Sequence, residues 1–195
     1  MDRGGVAEHR RRLLAGLSGS VIEVGAGNGL NFAHYPVEVS RVLAVEPERH
    51  LRAIAQRNAE RARVPIELVD GVAEQLPAGN GDFDAAVASL VLCSVPDQQP
   101  ALAELYRVVR PGGQLRFFEH VRAGTPTLAR IQQLLDATVW PLFLGGCHAS
   151  RDTAAAIVKA GFQIERVERF RFPDGPVALP SSPHILGVAS RPSTS

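Results

Sequence analysis

Short apolar runs alternate with amphipathic stretches along this chain, and the alternation sets the expected order of elements. Ser20 to Val24, Val42 to Glu46 and Ile66 to Val69 are brief apolar runs rich in β-branched residues, and each predicts a strand. Between the last two, PERHLRAIAQRNAERARV places Leu51, Ile54, Ala55, Asn58 and Ala62 on one stripe and arginines on the other faces, which predicts a crossover helix. DFDAAVASLVLCSV is almost continuously apolar, the pattern of a strand buried on both faces. QPALAELYRVVRPGG reads as a helix stopped by Pro111 and Gly112, and QLRFFEHV as a fifth strand.

Past Val121 the pattern predicts a helix near Leu128 to Val139, then a helix over RDTAAAIVKAG with Ser150 as its cap. Two more strands are predicted over Phe162 to Phe172 and His184 to Ala189. The alternation of the former slips near Val167, which marks a bulge or an edge strand. A short basic helix at Val6 to Leu17 precedes everything, and the first five residues and the tail RPSTS read as loose. Strands alternating with helices in this way predict one α/β domain over residues 1–195, a parallel sheet with helices on both faces. Ligands of such sheets sit beyond the carboxyl ends of the strands, where the strand order reverses.

The first strand runs directly into such a place, VIEVGAGNGLNF. Gly25, Gly27 and Gly29 let the chain turn sharply and let a ligand reach the backbone without meeting a β-carbon. A dinucleotide fingerprint, G-x-G-x-x-G, would want a glycine where Leu30 stands. Glu23, two residues ahead of the first glycine, would repel a pyrophosphate and favour a cationic amino-acid group. Glu46 closes the second strand, where a carboxylate accepts hydrogen bonds from ribose hydroxyls.

Composition narrows the partners. The 195 residues carry 21 basic and 20 acidic side chains, a net charge of +1, which supplies no general pull toward nucleic acid or an anionic membrane. Lys159 is the single lysine among many arginines, a codon bias rather than a site. Two cysteines, Cys93 and Cys147, are too few for a disulfide framework, so a reducing cytoplasm is the expected compartment. The first residues lack a signal-peptide core, and the longest apolar run, FDAAVASLVLCSV, is too short to span a bilayer.

The E-x-G-x-G-x-G loop, Glu46, FDAAVAS and LYRVVRPGGQL in this order resemble the class I S-adenosylmethionine (SAM) dependent methyltransferases, over about Ser20 to Val121. The resemblance implies a Rossmann-like, doubly wound sheet of seven strands, mostly parallel with an antiparallel last strand. It implies that the loop of Gly25, Ala26, Gly27, Asn28 and Gly29, with Asn31 beyond it, passes under the methionine half of SAM. Glu46, beside Pro47, would bind the ribose, Glu23 would orient the loop and the amino group, and Ser89 and Leu90 would lie near the reacting sulfur. Many relatives carry Asp-Ala where Val72 and Ala73 stand, so adenine would rest on the Ala73 backbone, with Asp70 or Glu74 as substitute acid. GNGLNFAHYP, FFEHV, PHILGVA and the spacing of Trp140, Gly146, Cys147 and Arg151 are similar to the membrane-associated alkyl-thiol methyltransferases, over about Ser20 to Ala189. Those relatives have a hydrophobic N-terminal anchor that is lacking here, so the expected form acts in solution on a small diffusible acceptor.

Methyl transfer from a sulfonium is an in-line displacement, so holding donor and nucleophile in contact supplies much of the catalysis. A thiol already offers some thiolate near neutrality, whereas a hydroxyl needs a general base. Sulfur is therefore the favoured acceptor, with oxygen or nitrogen of a small metabolite as the alternative and a non-catalytic SAM-binding regulator behind both. His120 and His148 are the candidate bases. Phe32, Tyr35, Trp140, Phe143, Cys147 and His184 are candidates for the acceptor wall. His9, His34 and His50 read as local contacts. No metal is expected: Cys147 and His148 are adjacent and rarely converge on one ion, and Cys93 sits in a buried strand context.

Overall fold

The computed structural model describes residues 5–138, 146–173 and 179–193. Its strands are β1 (Gly19–Val24), β2 (Val39–Val45), β3 (Ile66–Val69), β4 (Phe83–Ser89), β5 (Val109–His120), β6 (Gln163–Arg171) and β7 (Pro183–Ser190). They form one seven-stranded sheet in the order β3-β2-β1-β4-β5-β7-β6. β7 runs antiparallel to both β5 and β6, and every other pairing is parallel. This is the doubly wound arrangement that the alternation of elements and the resemblance imply.

Each central strand feeds both faces of the sheet, because successive side chains point to opposite sides. Ile22 and Val24 of β1 join Ala86 and Ala88 of β4 in one core, covered by α3 (Gln98–Val108) and α5 (Thr153–Lys159) through Leu102, Leu105 and Ile157. Val21, Ala85 and Val87 face the opposite core, covered by α1 (Val6–Leu14) and α2 (Arg49–Ala59) through Leu13, Leu14 and Ala55. Remaining is α4 (Pro126–Asp136), which follows β5. Among the described residues no helix is long and apolar enough to cross a membrane.

Several boundaries differ from expectation for local reasons. α1 ends at Leu14, where the chain turns into Gly16 at a φ of 75°. α3 stops at Val108, before Pro111, and β5 begins at once. The cap of α5 is Asp152, whose carboxylate accepts from the Ala155 amide, rather than Ser150. Arg191, in the tail, is tied to the carbonyls of Tyr106 and Val109 at 2.7 Å each. β6 is an edge strand with a register shift between Ile164 and Arg166, close to where its alternation slips. Glu165, Arg166, Glu168 and Arg169 cover that edge with charge, which discourages pairing with another chain.

Candidate cofactor and acceptor site

The site begins where the sheet changes direction, between β1 and β4. Gly25, Gly27 and Gly29 have φ values of 64°, 57° and 77°, in the left-handed region. A β-carbon on Gly25 would stand 2.3 Å from Val91 Cγ2, and one on Gly29 would stand 2.6 Å from the Phe32 ring. At Gly27 a β-carbon would meet nothing within 4 Å, because this residue faces a cavity of about 660 Å³. Two of the glycines therefore serve packing, and the middle one leaves room for a ligand.

Glu46 forms another wall of this cavity and is itself buried. One carboxylate oxygen accepts from the Gly27 amide at 2.8 Å and the other from the Glu48 amide at 3.0 Å. The carboxylate thus fixes the glycine loop to the end of β2, and its further lone pairs remain for ligand hydroxyls. Pro47, Leu51, Val72 and Ala73 add an apolar slot beside it. Asp70 is held by Arg52 through two contacts of 2.9 and 3.0 Å, whereas Glu74 Oε1, in the cavity wall, is buried with no hydrogen-bond partner.

Glu23 lies outside this cavity. It points into the opposite core, where it accepts from Asn31 Nδ2 and Tyr35 Oη at 2.7 Å each. Burial pushes its carboxyl up to about 7 despite those two hydrogen bonds. Asn31 in turn accepts from Arg10 at 2.7 Å, so Glu23 holds the segment after the glycine loop against the underside of the sheet.

The far wall is the turn after β4. Leu90 adopts a φ of 59°, which a side chain with a β-carbon rarely takes, and its amide donates to the Phe118 carbonyl at 2.7 Å. The next three amides, of Val91, Leu92 and Cys93, all donate to the carboxylate of Glu119 at 3.0–3.1 Å. Burial pushes the Glu119 carboxyl well above the usual range, with the neighbouring Cys93 adding to the effect. Val91, Ser94, Val95 and Pro96 from this turn line the cavity.

Behind the turn stand Cys93, His120 and Cys147. His120 Nδ1 lies 3.6 Å from Cys93 Sγ and 3.5 Å from Cys147 Sγ, and Cys93 Sγ lies 3.6 Å from Ser94 Oγ. Hydrogen bonding with Cys147 and burial push the Cys93 thiol up to about 12, while the same contact lowers Cys147. Burial depresses His120, but its contact with Cys93 and the charges of Cys93 and Glu119 outweigh that and raise it. Arg151 binds the carbonyls of Leu92, Val95 and Pro96 and so ties the Cys147 loop to the turn. A second cavity, of about 390 Å³, opens beyond His184 between Val121, Leu128 and Phe170, with Arg122, Arg169 and Arg171 on its wall.

A family model described as a methyltransferase domain matches residues 22–117, the segment that carries the glycine loop, Glu46 and most of β5. The thiol S-methyltransferase TMT1A of Homo sapiens is 35% identical over 181 residues, which is 90% of this chain and 72% of that protein. The chain belongs to the SAM-dependent methyltransferases. Among solved structures, geranyl diphosphate methyltransferase in complex with SAM aligns with a TM-score of 0.72 at 16% identity, over 96% of this chain and 85% of that one. The [4+2]-cyclase SpnF aligns with a TM-score of 0.74 at 18% identity, over 97% of this chain and 80% of that one. Likeness at such identity shows the fold alone, and a cyclase on the same fold illustrates why activity has to be argued from the site.

Within this methyltransferase the residues predicted for the cofactor divide in two. Gly25, Gly27, Glu46, Pro47, Val72, Ala73, Glu74 and Leu90 surround the larger cavity. Ala26 and Asn31 are buried behind the loop, Asn28 accepts from Asn58 through its carbonyl at 2.8 Å, and the buried Ser89 hydroxyl has no partner. Of the acceptor candidates, Phe32 and Tyr35 are core residues instead: a short 3-10 turn, Phe32–His34, carries Phe32 under Gly29 and brings Tyr35 to Glu23. Trp140 and Phe143 lie outside the described residues. His184 is buried with its ring against His120, and its Nδ1–H donates to the Ser182 carbonyl at 2.8 Å. Burial pulls that imidazole down to about 4. His148 is half-buried and its amide donates to the Cys93 carbonyl at 2.7 Å.

Three contributors escaped the sequence reading. Glu119 takes three successive amides of the turn after β4, and Cys93 lies in that turn rather than within a strand. Arg151 enters the sequence pattern only through its spacing from Trp140, Gly146 and Cys147. The pair Pro96-Asp97, a break followed by the cap of α3, was the signal that the apolar run ends in a loop.

Proposed function

We propose that this methyltransferase moves the SAM methyl to a thiol sulfur of a small, largely apolar acceptor. The observation that carries the reading is the composition of the larger cavity. It has an open backbone at Gly27, a carboxylate at Glu46, and a far wall whose Ser94 touches a cysteine and histidine cluster. The relative named for thiol methylation supports the choice of sulfur.

The residues fit SAM in three respects. Glu46 keeps lone pairs for ribose hydroxyls while it holds the loop. Glu74 Oε1, buried and unpartnered, is an acceptor for the adenine amine, which Asp70 is not free to be. The slot of Pro47, Leu51 and Val72 takes the flat apolar base. When bound, SAM supplies an electrophilic methyl on a sulfonium, and the chain contributes position: Gly27 and Leu90 fix the methionine end, and the turn held by Glu119 fixes the face from which the acceptor approaches. A thiol needs little further activation near neutral pH.

The test is mass-spectrometric detection of methylated product from panels of alkyl thiols, phenols and amines, with the native chain and Glu46→Ala. Thiols should be methylated by the native chain, and Glu46→Ala should weaken SAM binding by about tenfold or more, the worth of a charge-assisted hydrogen bond to ribose. Methylation of phenols or amines with thiols left untouched would defeat the acceptor assignment. Unchanged SAM affinity in Glu46→Ala would defeat the ribose assignment.

A further inference from the structure

We propose that Cys93, His120 and Cys147 form a zinc site with one open coordination position, and that the acceptor thiol enters the reaction as the fourth ligand. The site itself stands on geometry alone; the role of the acceptor rests on the thiol reading above.

The ligand atoms Cys93 Sγ, His120 Nδ1 and Cys147 Sγ all lie within 4.8 Å of one another. With zinc–sulfur bonds of about 2.3 Å and zinc–nitrogen bonds of about 2.0–2.1 Å, a tetrahedral centre separates its sulfur and nitrogen ligands by about 3.6 Å. The two sulfur–nitrogen distances are 3.6 and 3.5 Å, so a zinc ion would fit with no movement along either edge. Two cysteines and one histidine with a vacant fourth position is a catalytic rather than a structural donor set. Two thiolates and a neutral imidazole bring zinc to zero net charge, which suits a site as buried as this one.

Each ligand is also held from behind, as a preorganised centre requires. Glu119 grips the amide of Cys93 itself. His120 ends β5, with the His184 ring at 4.4 Å between centroids. The loop of Cys147 is pinned by the His148 amide on the Cys93 carbonyl, by Asp136 on the amides of Ala149 and Ser150, and by Arg151 on three carbonyls of the turn. Cys147 thus finds its partners far along the chain and does not need the adjacent His148. Ser94, whose hydroxyl touches Cys93 Sγ, also lines the larger cavity, so the cluster stands at the wall from which an acceptor would reach the methyl.

The reaction balances without an oxidant or reductant. The acceptor thiol binds zinc as thiolate and its proton leaves to water. A sulfur lone pair forms the new bond to the methyl carbon, and the bond from that carbon to the sulfonium breaks with its electrons staying on the departing sulfur. The products are S-adenosylhomocysteine, a thioether and one proton, and the thioether, a poorer ligand than thiolate, vacates the zinc.

The experiment measures metal content after dialysis of the native chain with limiting zinc, then replaces zinc by cobalt and records the thiolate-to-cobalt absorption. Calorimetric binding of S-adenosylhomocysteine reports that each variant is folded. About one zinc per chain is expected, with a cobalt spectrum that shifts when an alkyl thiol is added. Cys93→Ser and Cys147→Ser should keep nucleoside binding while zinc affinity falls by more than the roughly hundredfold that loss of an outer partner brings. A folded native chain that holds no zinc, or serine variants that hold it unchanged, would overturn the site. A cobalt spectrum indifferent to thiols would overturn the fourth-ligand role. Thiol methylation by rigorously metal-free protein would overturn that role and leave the proposed function standing, whereas bound zinc with no transfer to any thiol would overturn the proposed function, and the fourth-ligand role with it, and leave the zinc site standing.

Discussion

The two ends of the sheet's carboxyl edge are held by the same device at very different chain distances. At the cofactor end Glu46 collects the amides of Gly27 and Glu48, 19 and 2 residues away. At the acceptor end Glu119 collects the amides of Val91, Leu92 and Cys93, 28, 27 and 26 residues away, and it is fully buried. A carboxylate that faces a cavity, as Glu46 does, can turn its spare lone pairs to a ligand. One that is sealed in the core spends all of its capacity on the fold. The comparison teaches that the cofactor end is a ligand-facing grip and the acceptor end a structural clamp that positions other groups.

The clamp should be the costlier to remove. Glu119→Ala strands three amides with no acceptor, and a loss of about 4 kcal/mol in urea unfolding is expected. Glu119→Gln keeps one accepting oxygen and should lose about half as much. If Glu119→Ala unfolds within 1 kcal/mol or so of the native chain, the clamp reading fails.

A third carboxylate sharpens the contrast through pH. Glu23 is held up to about 7 by burial, against an ordinary value of 4.5. Its folded form therefore binds the proton more tightly than its unfolded form, so its contribution is full below 4.5 and is lost as pH rises through about 7. That loss is on the order of 3 kcal/mol by pH 8. Glu23→Gln, which keeps an acceptor for Asn31 and a partner for Tyr35, should flatten the stability profile across this window and be the more stable chain at pH 8. A profile that keeps its slope in Glu23→Gln would assign it to another group.

The glycines separate folding from binding within one loop. Gly29→Ala pushes a β-carbon onto Phe32 and within 3.2 Å of the Ala55 backbone, and it should cost about 2 kcal/mol of stability. Gly27→Ala meets no atom within 4 Å, so its stability cost is only that of the left-handed backbone, about 1 kcal/mol. Its β-carbon enters the cavity instead, and SAM affinity should fall by about a hundredfold. Equal effects of the two substitutions on binding would remove Gly27 from the ligand face.

The same contrast explains what the sequence disclosed. The glycine loop and Glu46 were legible because a β-strand, a turn without β-carbons and a strand-end acid are local signals. Fold order was legible for the same reason, down to the slip in β6. The acceptor end was not, because Cys93, His120 and Cys147 meet only once β4 and β5 pair and the loop before α5 folds over the turn. Leu90 at a positive φ ends a run that reads as one long strand, and that ending is held by Glu119 on three amides and Arg151 on three carbonyls, partners far along the chain. Phe32 and Tyr35 misled for the opposite reason: proximity to the loop in sequence put them behind it, on Glu23, rather than in front.

The smallest effect tests the finest difference between two neighbouring acids. Asp70 satisfies Arg52 and is exposed, so Asp70→Ala should change cofactor affinity little. Glu74 Oε1 is buried at the cavity wall with no partner, and a buried acceptor in that state gains on meeting an amine donor. Glu74→Ala should therefore weaken S-adenosylhomocysteine binding by about tenfold, while Glu74→Gln, which still presents an oxygen, should lose less. The 6-oxo analogue, S-inosylhomocysteine, offers an acceptor where adenine offers a donor, so the native chain should discriminate against it and Glu74→Ala should narrow that preference. Calorimetry with both nucleosides on both variants reads the difference directly. A preference for the amino form that survives in Glu74→Ala would move adenine recognition to the Ala73 backbone alone.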